Sequence, residues 1–326
     1  MNKLLNVSSS PHVRSKVTTQ SIMYDVAIAM LPATAYGVYR FGLSALVTLI
    51  ATVLSCVLSE YVYEKGMKKP ITVSDGSALV TGMILALNMP CGLLLKQVDQ
   101  GYVYQWGNVL IPVLGGMFAI IIVKQLYGGL GQNWMNPALA ARCFLLISFA
   151  GKVSNFADPK AMDAMAGATP LAVMRASGME GVDIPALVVG NITGTYGETS
   201  VIALLIGAVY LLARKVISIK IPGTYILTFA VFTFIFGGFD PAYVLAQVCV
   251  GGLIFGAFFM ATDYVTSPIT PKGQIVFGIL LGLLTGIFRL WGGSPEGVSY
   301  AIIISNIVVP IIEKYTLPKA FGKEGK

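Results

Sequence analysis

The sequence has few charged residues. Asp, Glu, Lys and Arg make up 11% of its 326 residues, while 56% are hydrophobic; a soluble protein carries roughly 25% charged residues. This deficit excludes an ordinary soluble domain. The 22 basic residues outnumber the 15 acidic ones, but they lie mostly between apolar runs, where membrane proteins carry them to set orientation. We therefore expect the lipid bilayer as a partner and no nucleic acid.

Histidine and clustered cysteine are also scarce. The only histidine, His12, lies in a polar tail, and the four cysteines share no C-x-x-C spacing. We therefore predict no haem, iron–sulfur or zinc site in this chain and interpret the cysteines as small packing residues. A Gly-rich dinucleotide-binding βαβ unit is missing too, so NAD would bind elsewhere. The polar, basic first twenty residues argue against a cleavable signal peptide.

Short strands of alternating polarity are absent, and long apolar runs take their place. These runs predict an all-α integral membrane protein. Several are shorter than the ~20 residues that a straight span needs, so we expect broken or re-entrant helices. Ten segments can be drawn, at roughly 22–39, 43–63, 75–90, 105–126, 136–150, 199–213, 222–238, 241–260, 274–291 and 298–312.

The distribution of Lys and Arg predicts ten spans with both termini in the cytoplasm, since most basic residues then lie inside. The chain divides into a cytoplasmic N-terminal tail at 1–20, a first five-helix repeat at 21–151, an extracytoplasmic loop at 152–198, a second five-helix repeat at 199–313, and a cytoplasmic C-terminal tail at 314–326.

Weak self-similarity links the two sets of five segments. "SDGSALVTG" at 74–82 precedes "FDPAYVLAQ" at 239–247 by about 165 residues, and "GGLGQNWMNPALAARCFLL" precedes "GGSPEGVSYAIIISN" by a similar interval. Because each half has an odd number of spans, the repeats have opposite orientations. Inverted repeats place ligands near the membrane midplane, between broken helices.

The stretch "DAMAGATPL" lies in the predicted extracytoplasmic loop. Gly167 and Pro170 bracket Thr169, so we expect a turn that presents the threonine hydroxyl outward. Asp163 precedes Thr169 by six residues and could bind a donor or help to hold a metal-bound phosphate. From spacing alone, an unmodified surface turn is the simpler interpretation.

The stretch "GQNWMNPALAAR" leaves two interpretations open. Asn136 before Pro137 is typical of a helix N-cap, with Asn133 in the preceding turn. Asparagine amides also carry donors and acceptors that suit the uracil-like edge of a flavin ring. Both can hold together. Arg142 follows one turn later and could contact a flavin or make a structural salt bridge.

Other charged residues lie at or beside apolar segments, where ionised groups are costly and often functional. Asp75 and Asp240 each open a segment, so we interpret them as N-caps. Lys124 lies near the end of the fourth segment. Asp263 ends a span before a polar turn, and an ion-path role is a hypothesis for it.

The sequence resembles known proteins both in one short motif and over its whole length. The pattern Asp-x-x-small-Gly-Ala-Thr at 163–169 resembles the site at which flavin transferases attach FMN to threonine. The chain as a whole resembles the NqrB/RnfD family of membrane redox subunits. The matching stretches run in order over nearly the whole sequence: "SSSPHVRS" (8–15), "DGSALVTGMILALNMP" (75–90), "GGLGQNWMNPALAAR" (128–142), "GATPLA" (167–172), "YGETSVIALLIGAVYLL" (196–212), "ATDYVTSPITPKGQ" (261–274) and "PEGVSYAIIISN" (295–306).

The resemblance implies a fold like that of urea and ammonium channels. It implies FMN bound to Thr169 through a phosphoester, within the motif formed by Asp163, Gly167, Ala168, Thr169 and Pro170. It also implies a non-covalent riboflavin near a second group, namely Asn133, Asn136 and Arg142.

By resemblance, the chain relays electrons in an ion-translocating ferredoxin:NAD oxidoreductase (Rnf) complex that exports Na⁺ or H⁺. The implied partners are the flavin-bearing RnfG, the small membrane proteins RnfA and RnfE, the iron–sulfur proteins RnfB and RnfC, and a flavin transferase for maturation. One alternative is an NqrB-type component of a sodium-pumping NADH:quinone reductase. The other is a channel or secondary transporter for a small polar solute.

Overall fold

The computed structural model describes residues 17–98, 101–157, 169–179, 181–292 and 297–318. Helices dominate these ranges. In chain order they are α1 (Thr19–Phe41), α2 (Leu43–Gly66), α3 (Ser77–Leu87), α4 (Leu110–Met117), α5 (Pro137–Ser148), α6 (Ala150–Val153), α7 (Pro170–Ser177), α8 (Ile184–Val189), α9 (Val201–Ala213), α10 (Lys220–Phe236), α11 (Pro241–Cys249), α12 (Leu253–Phe255), α13 (Pro271–Trp291) and α14 (Val298–Thr316).

The structure is that of a multi-pass helical membrane protein. Among the residues that the structure describes, five helical segments are long and apolar enough to cross a membrane, or six if the bent pair α11–α12 forms one span. Of the ten predicted segments, four are apolar helices shorter than a straight span, namely α3, α5, α9 and α10. The expectation of interrupted helices is confirmed at α11–α12, where Pro241–Cys249 and Leu253–Met260 meet at 64°.

Helix starts follow local sequence. Asn136, Thr169, Asp240 and Thr270 each accept a hydrogen bond from a backbone N–H in the first turn, and each is followed by proline. An N-cap oxygen satisfies an N–H that lacks a helical partner, and proline at the first helical position has no N–H to satisfy. The sequence interpretation of Asp240 and Asn136 as N-caps is confirmed.

A β-hairpin departs from the all-α prediction. Leu95–Val98 (β1) pairs antiparallel with Gly101–Tyr104 (β2), with Leu95 opposite Tyr104. The sequence analysis assigned no structure between the third and fourth apolar segments. Pairing gives the backbone of this connection the hydrogen-bond partners that every buried or half-buried peptide needs, and a four-residue strand is too short to show periodicity.

Two helices widen into π-helical turns: α4 continues as Phe118–Gln125, and α12 continues as Gly256–Met260. Such turns occur frequently at functional sites, because they re-aim side chains within a helix. The first re-aims Lys124 and Gln125 toward α2, and the second places Phe258 and Phe259 against α3 and α9.

Close helix contacts depend on residues without side-chain bulk, as is common when helices pack in membranes. Gly207 of α9 approaches α1 so closely that an added Cβ would lie 2.0 Å from the carbonyl oxygen of Ala29. Gly82 of α3 meets α2 similarly, 2.8 Å from the Val53 Cα. The α1–α9 contact joins the first half of the chain to the second.

Candidate functional site

Thr169 begins helix α7. Its backbone is extended, and its hydroxyl oxygen accepts a hydrogen bond from the backbone N–H of Ala172 at 3.3 Å. Only 7% of the residue is exposed. The sequence analysis expected an outward hydroxyl, and that expectation is wrong: the side chain turns in because it caps the helix. Together with Ile192, Glu198 and Gly251 it lines a small pocket, the Thr169 pocket.

The remaining residues of the predicted FMN motif fall into two groups. Asp163, Gly167 and Ala168 lie outside the described residues. Pro170 occupies the first position of α7, so the first N–H groups at this helix start belong to Leu171 and Ala172. A helix N-terminus favours an anion through these N–H groups and the helix dipole. A phosphodiester on Thr169 would sit at that end.

The Thr169 pocket lies toward the C-terminal end of α1. The segment 190–200, which contributes to the pocket, packs on this end: a Cβ added to Gly190 would lie 2.8 Å from the Tyr36 ring, and one added to Gly37 would lie 2.5 Å from the Tyr196 carbonyl oxygen.

A larger pocket, the inner pocket, opens at the N-terminal end of α1. It holds about 100 Å³ of space accessible to water-sized molecules. Ile22, in the wall of the inner pocket, and Tyr36 are separated by roughly 21 Å along α1. The inner pocket and the Thr169 pocket therefore lie at opposite ends of this helix. The polar lining of the inner pocket includes residues of four segments: Ser77, Thr81, Lys124, Asn133, Asn136, Thr262 and Asp263.

Both asparagines singled out from the sequence reach the inner pocket. Asn136 uses its side-chain oxygen to accept from the N–H groups of Ala138 and Leu139, at 3.0 and 3.3 Å, and its amide donates to the Met260 carbonyl at 3.4 Å. It is therefore an N-cap that also lines the pocket. Asn133 donates from its side-chain amide to the Met135 carbonyl at 3.1 Å and is part of the pocket lining.

Arg142 is buried and lies outside the inner pocket lining. Its guanidinium donates to the Asn88 side-chain oxygen at 2.7 Å and to the Ser299 hydroxyl at 3.1 Å. Asn88 is the C-cap of α3, and a cation there complements the helix dipole. The structure thus gives Arg142 a role in joining α3, α5 and α14 and does not bring it to the asparagines' pocket.

A buried ion pair lies beside the inner pocket. The Lys124 ammonium is 2.5 Å from a Glu60 carboxylate oxygen, and the Gln125 amide donates to Glu60 at 2.9 Å and to Glu64 at 3.2 Å. The sequence analysis named Lys124 and missed both glutamates. Two acidic residues four positions apart inside an apolar helix were the signal, since they share one helix face.

Asp263 lies in the connection between α12 and α13 and lines the inner pocket. It accepts hydrogen bonds from the Val265 N–H at 3.3 Å and the Thr266 hydroxyl at 3.1 Å. Burial raises the pKa of the Asp263 carboxyl above its ordinary value, and these two hydrogen bonds lower it by less. The N-cap position of α3 is Gly76, so the prediction that Asp75 is the N-cap is wrong by one residue. Asp75 instead accepts from the backbone N–H and the hydroxyl of Ser77, the first residue of α3.

Known proteins resemble this chain over almost its whole length. A family model described as NQR2, RnfD, RnfE matches residues 6–322. The chain belongs to this family. The resemblance drawn from the sequence motifs is confirmed, and the match covers both pockets and every helix described above.

Named relatives match over almost their whole length. The chain is 46% identical to the D subunit of the Na⁺-translocating ferredoxin:NAD⁺ oxidoreductase complex of Acetobacterium woodii, covering 99% of this chain and 97% of the relative. It is 39% identical to the D subunit of the proton-translocating complex of Clostridium ljungdahlii, covering 98% and 96%. A D subunit from Methanosarcina acetivorans, named for an ion-translocating oxidoreductase complex, is 34% identical over 97% of this chain and 96% of the relative.

Proposed function

We propose that this chain is an electron-relaying membrane subunit of an ion-translocating ferredoxin:NAD⁺ oxidoreductase complex. The observation that carries the proposal is the 46% identity, over 99% of the chain, to the D subunit of such a complex. We assign ferredoxin and NAD chemistry to the partner proteins: the iron–sulfur proteins RnfB and RnfC, the flavin-bearing RnfG, and the small membrane proteins RnfA and RnfE. A flavin transferase would mature the chain.

The proposed architecture has ten membrane segments in two inverted halves. In this scheme α1 to α5 correspond to α9, α10, α11–α12, α13 and α14. Packing supports it: α2 contacts both α3 and α4, and α10 likewise contacts both α11 and α13. An N-terminus in the cytoplasm then places the inner pocket toward the cytoplasm and Thr169 on the extracytoplasmic side, where the tether would hold a ring outside the bilayer.

The first proposed cofactor is FMN, joined to Thr169 by a phosphoester. The site fits a phosphodiester because Thr169 stands at the N-terminus of α7, next to the N–H groups of Leu171 and Ala172. When bound, the flavin supplies a redox centre at a fixed position. The chain's own part is to hold the anion at the helix end and to keep its charge out of the hydrocarbon.

The second proposed cofactor is a non-covalent riboflavin in the inner pocket. An aromatic and aliphatic wall with few polar groups suits a flat ring that has one polar edge. Asn133 offers an acceptor, and Asn136 fixes the adjoining helix start. Phe258 and Phe259 cover the apolar part and exclude water. Lys124 contributes a cation to the wall, and a cation there would favour a reduced, negatively charged ring.

Covalent attachment is tested by co-expressing the chain with its flavin transferase and measuring intact mass and in-gel fluorescence after denaturation. We expect one adduct with the mass of FMN minus water. Thr169→Asn keeps an N-cap oxygen but cannot form the ester, so it should fold and carry no adduct, while Thr193→Val, in the same pocket, should carry it. An adduct that survives in Thr169→Asn overturns the assignment.

The family also includes NQR2 proteins, so the electron acceptor needs its own test. The complex purified from its native membrane is assayed for ferredoxin-dependent NAD⁺ reduction in quinone-depleted vesicles. Persistent reduction supports the proposed function. Loss of reduction that added quinone restores would instead identify a quinone reductase. Dependence of the rate on added Na⁺ separates the two coupling ions, which differ between the named relatives.

A further inference from the structure

A second opening, the surface cleft, lies beside the inner pocket. It is lined by residues before α1, at the end of α2, in the α2–α3 connection, and after the π-helical turn of α4. Its lining includes Glu64, Lys69, Thr72, Asp75 and Gln125. The surface cleft and the inner pocket share a wall, because Ser77 follows Asp75 by two residues and Lys124 precedes Gln125.

A continuous chain of hydrogen bonds crosses this wall. The Lys124 ammonium donates to the Ser77 hydroxyl oxygen at 2.6 Å, and the Ser77 hydroxyl donates to the Asp75 carboxylate at 2.5 Å. Lys124 and Ser77 line the inner pocket, while Asp75 lines the surface cleft. Every link joins a donor to an acceptor that can also release or bind a proton.

Among the described residues, acidic and thiol groups of α2 and of the turn before α3 lie around the ammonium, and Asp263 lines the same pocket from the α12–α13 connection. Glu60 pairs with the ammonium directly, Glu64 and Asp75 lie next to that pair, and the Cys56 thiol lies near it from one turn earlier in α2. Glu60 is fully buried, and its second carboxylate oxygen has no hydrogen-bond partner in the described part of the chain. Glu60 therefore neutralises Lys124 and keeps a free acceptor beside it.

Stability does not explain this arrangement. Removing two charges from water costs several kcal/mol per ion, and a buried ion pair is often no more stabilising than apolar residues of similar size. Lys124 also lies in a π-helical turn, and such turns frequently mark functional sites. Proton transfer along these hydrogen bonds would use the ammonium, the hydroxyl and the carboxylate together.

We propose that Lys124, Ser77 and Asp75 form a proton relay between the inner pocket and the surface cleft. This inference rests on the proposed function, which puts a flavin ring in the inner pocket. If a flavin bound in the inner pocket is reduced by two electrons, Lys124 would supply the proton that the ring takes up. The Asp75 carboxylate would take one proton from the water of the surface cleft and pass it to Ser77, and Ser77 would pass its hydroxyl proton to the Lys124 amine, so that one proton enters from the medium for each one delivered. Oxidation reverses each transfer.

The experiment uses the full chain in lipid nanodiscs, loaded with riboflavin, in a Thr169→Asn background that lacks the ester-forming hydroxyl. Reduced methyl viologen is the electron donor, because its oxidation releases no proton. Stopped-flow absorbance follows ring reduction, a pH-indicator dye follows proton uptake from the medium, and riboflavin content is measured for every variant.

In the unaltered relay, proton uptake should keep pace with ring reduction. Ser77→Ala and Asp75→Asn should slow proton uptake by roughly a hundredfold, the lower end of what a positioned proton donor contributes. Ser77→Thr keeps the hydroxyl and should restore it. Ser55→Ala is the matched control: it removes another part-buried hydroxyl, bonded to the Val113 carbonyl at 2.7 Å, away from both openings. Asp240→Asn controls for loss of a carboxylate.

The outcomes separate the two proposals. If riboflavin is retained but Ser77→Ala and Asp75→Asn take up protons as fast as Ser55→Ala, the relay is overturned and the flavin site stands. If the chain with an intact inner pocket retains no riboflavin, the second cofactor and the relay both fail. Slow uptake in Ser77→Ala that Ser77→Thr does not restore counts against the relay, since a hydroxyl at that place is its central requirement.

Discussion

The Lys124 ammonium lies 2.5 Å from a Glu60 carboxylate oxygen, although the two residues stand 64 positions apart in the sequence. Their side chains are 3% and 0% exposed. This contact fixes the π-helical end of α4 against α2, and Lys124 lines the inner pocket, so the same pair affects both the stability of the fold and the electrostatics of the site.

The first prediction concerns this pair. Glu60→Gln leaves a buried ammonium without its counter-charge and should destabilise the protein by about 3 kcal/mol. The double variant Glu60→Gln, Lys124→Gln removes both charges and should recover most of that loss. Thermal unfolding in detergent measures both, with Lys65→Gln, an exposed cation at the end of α2, as the control. A double variant no more stable than Glu60→Gln would contradict the pairing.

The second prediction separates the two asparagines. Asn133→Ala removes an acceptor at the inner pocket and should weaken riboflavin binding roughly tenfold while leaving the melting temperature nearly unchanged. Asn136→Ala removes an N-cap and should cost about 1 kcal/mol of stability, which Asn136→Ser should largely restore. Flavin titration and thermal unfolding are compared with those of exposed Asn191→Ala. Equal effects of Asn133→Ala and Asn191→Ala on binding would argue against a flavin at Asn133.

The third prediction concerns pH. The pKa of Asp263 is raised by burial, so the folded chain holds its proton above the unfolded-state pKa of roughly 3.9. The folded state therefore binds more protons, and the contribution of this residue to stability falls as pH rises from that value through the raised pKa. Asp263→Asn should be more stable than the parent at neutral pH, and the difference should vanish in acid.

Unfolding temperatures of Asp263→Asn and its parent, measured across pH 4–8, check this sign. Asp240→Asn is the control, because Asp240 caps α11 in an exposed turn. A gap between Asp263→Asn and the parent that widens in acid would refute the prediction.

The fourth prediction tests sidedness. The four native cysteines are buried and form no disulfide, so a new surface cysteine can be labelled selectively. Ser177 ends α7 beyond Thr169, whereas Ser218 lies between α9 and α10, and both are exposed. A membrane-impermeant maleimide should label Ser177→Cys in intact spheroplasts and Ser218→Cys only after lysis. Labelling of Ser218→Cys in intact spheroplasts would invert the proposed orientation and place Thr169 in the cytoplasm.

Several site features were accessible from the sequence because they depend on neighbouring residues alone. The Asn136-Pro137 and Asp240-Pro241 pairs predicted helix starts, and the structure has them. The motif around Thr169 led to the prediction of an exposed hydroxyl, which was wrong. The residues that favour a turn do not show whether another segment will cover the hydroxyl. Residues 190–200 provide that cover.

Other features could not be foreseen. Asp263 and Asn133 share a pocket only because α12 and the segment before α5 meet, and the 64° bend at α11–α12 that brings them there has no proline within it. The four-residue strands of the hairpin at 95–104 carry too little pattern to predict.

The sequence by itself determined the helical membrane class, the helix starts and the family, because hydrophobicity, N-capping and motif order are local properties of the chain. Only the tertiary structure decided that Glu60 faces Lys124, that Asn133 joins Asp263 in one pocket, and that the Thr169 hydroxyl turns inward. Those relationships depend on how helices distant in sequence pack against one another, and no short stretch of residues encodes that packing.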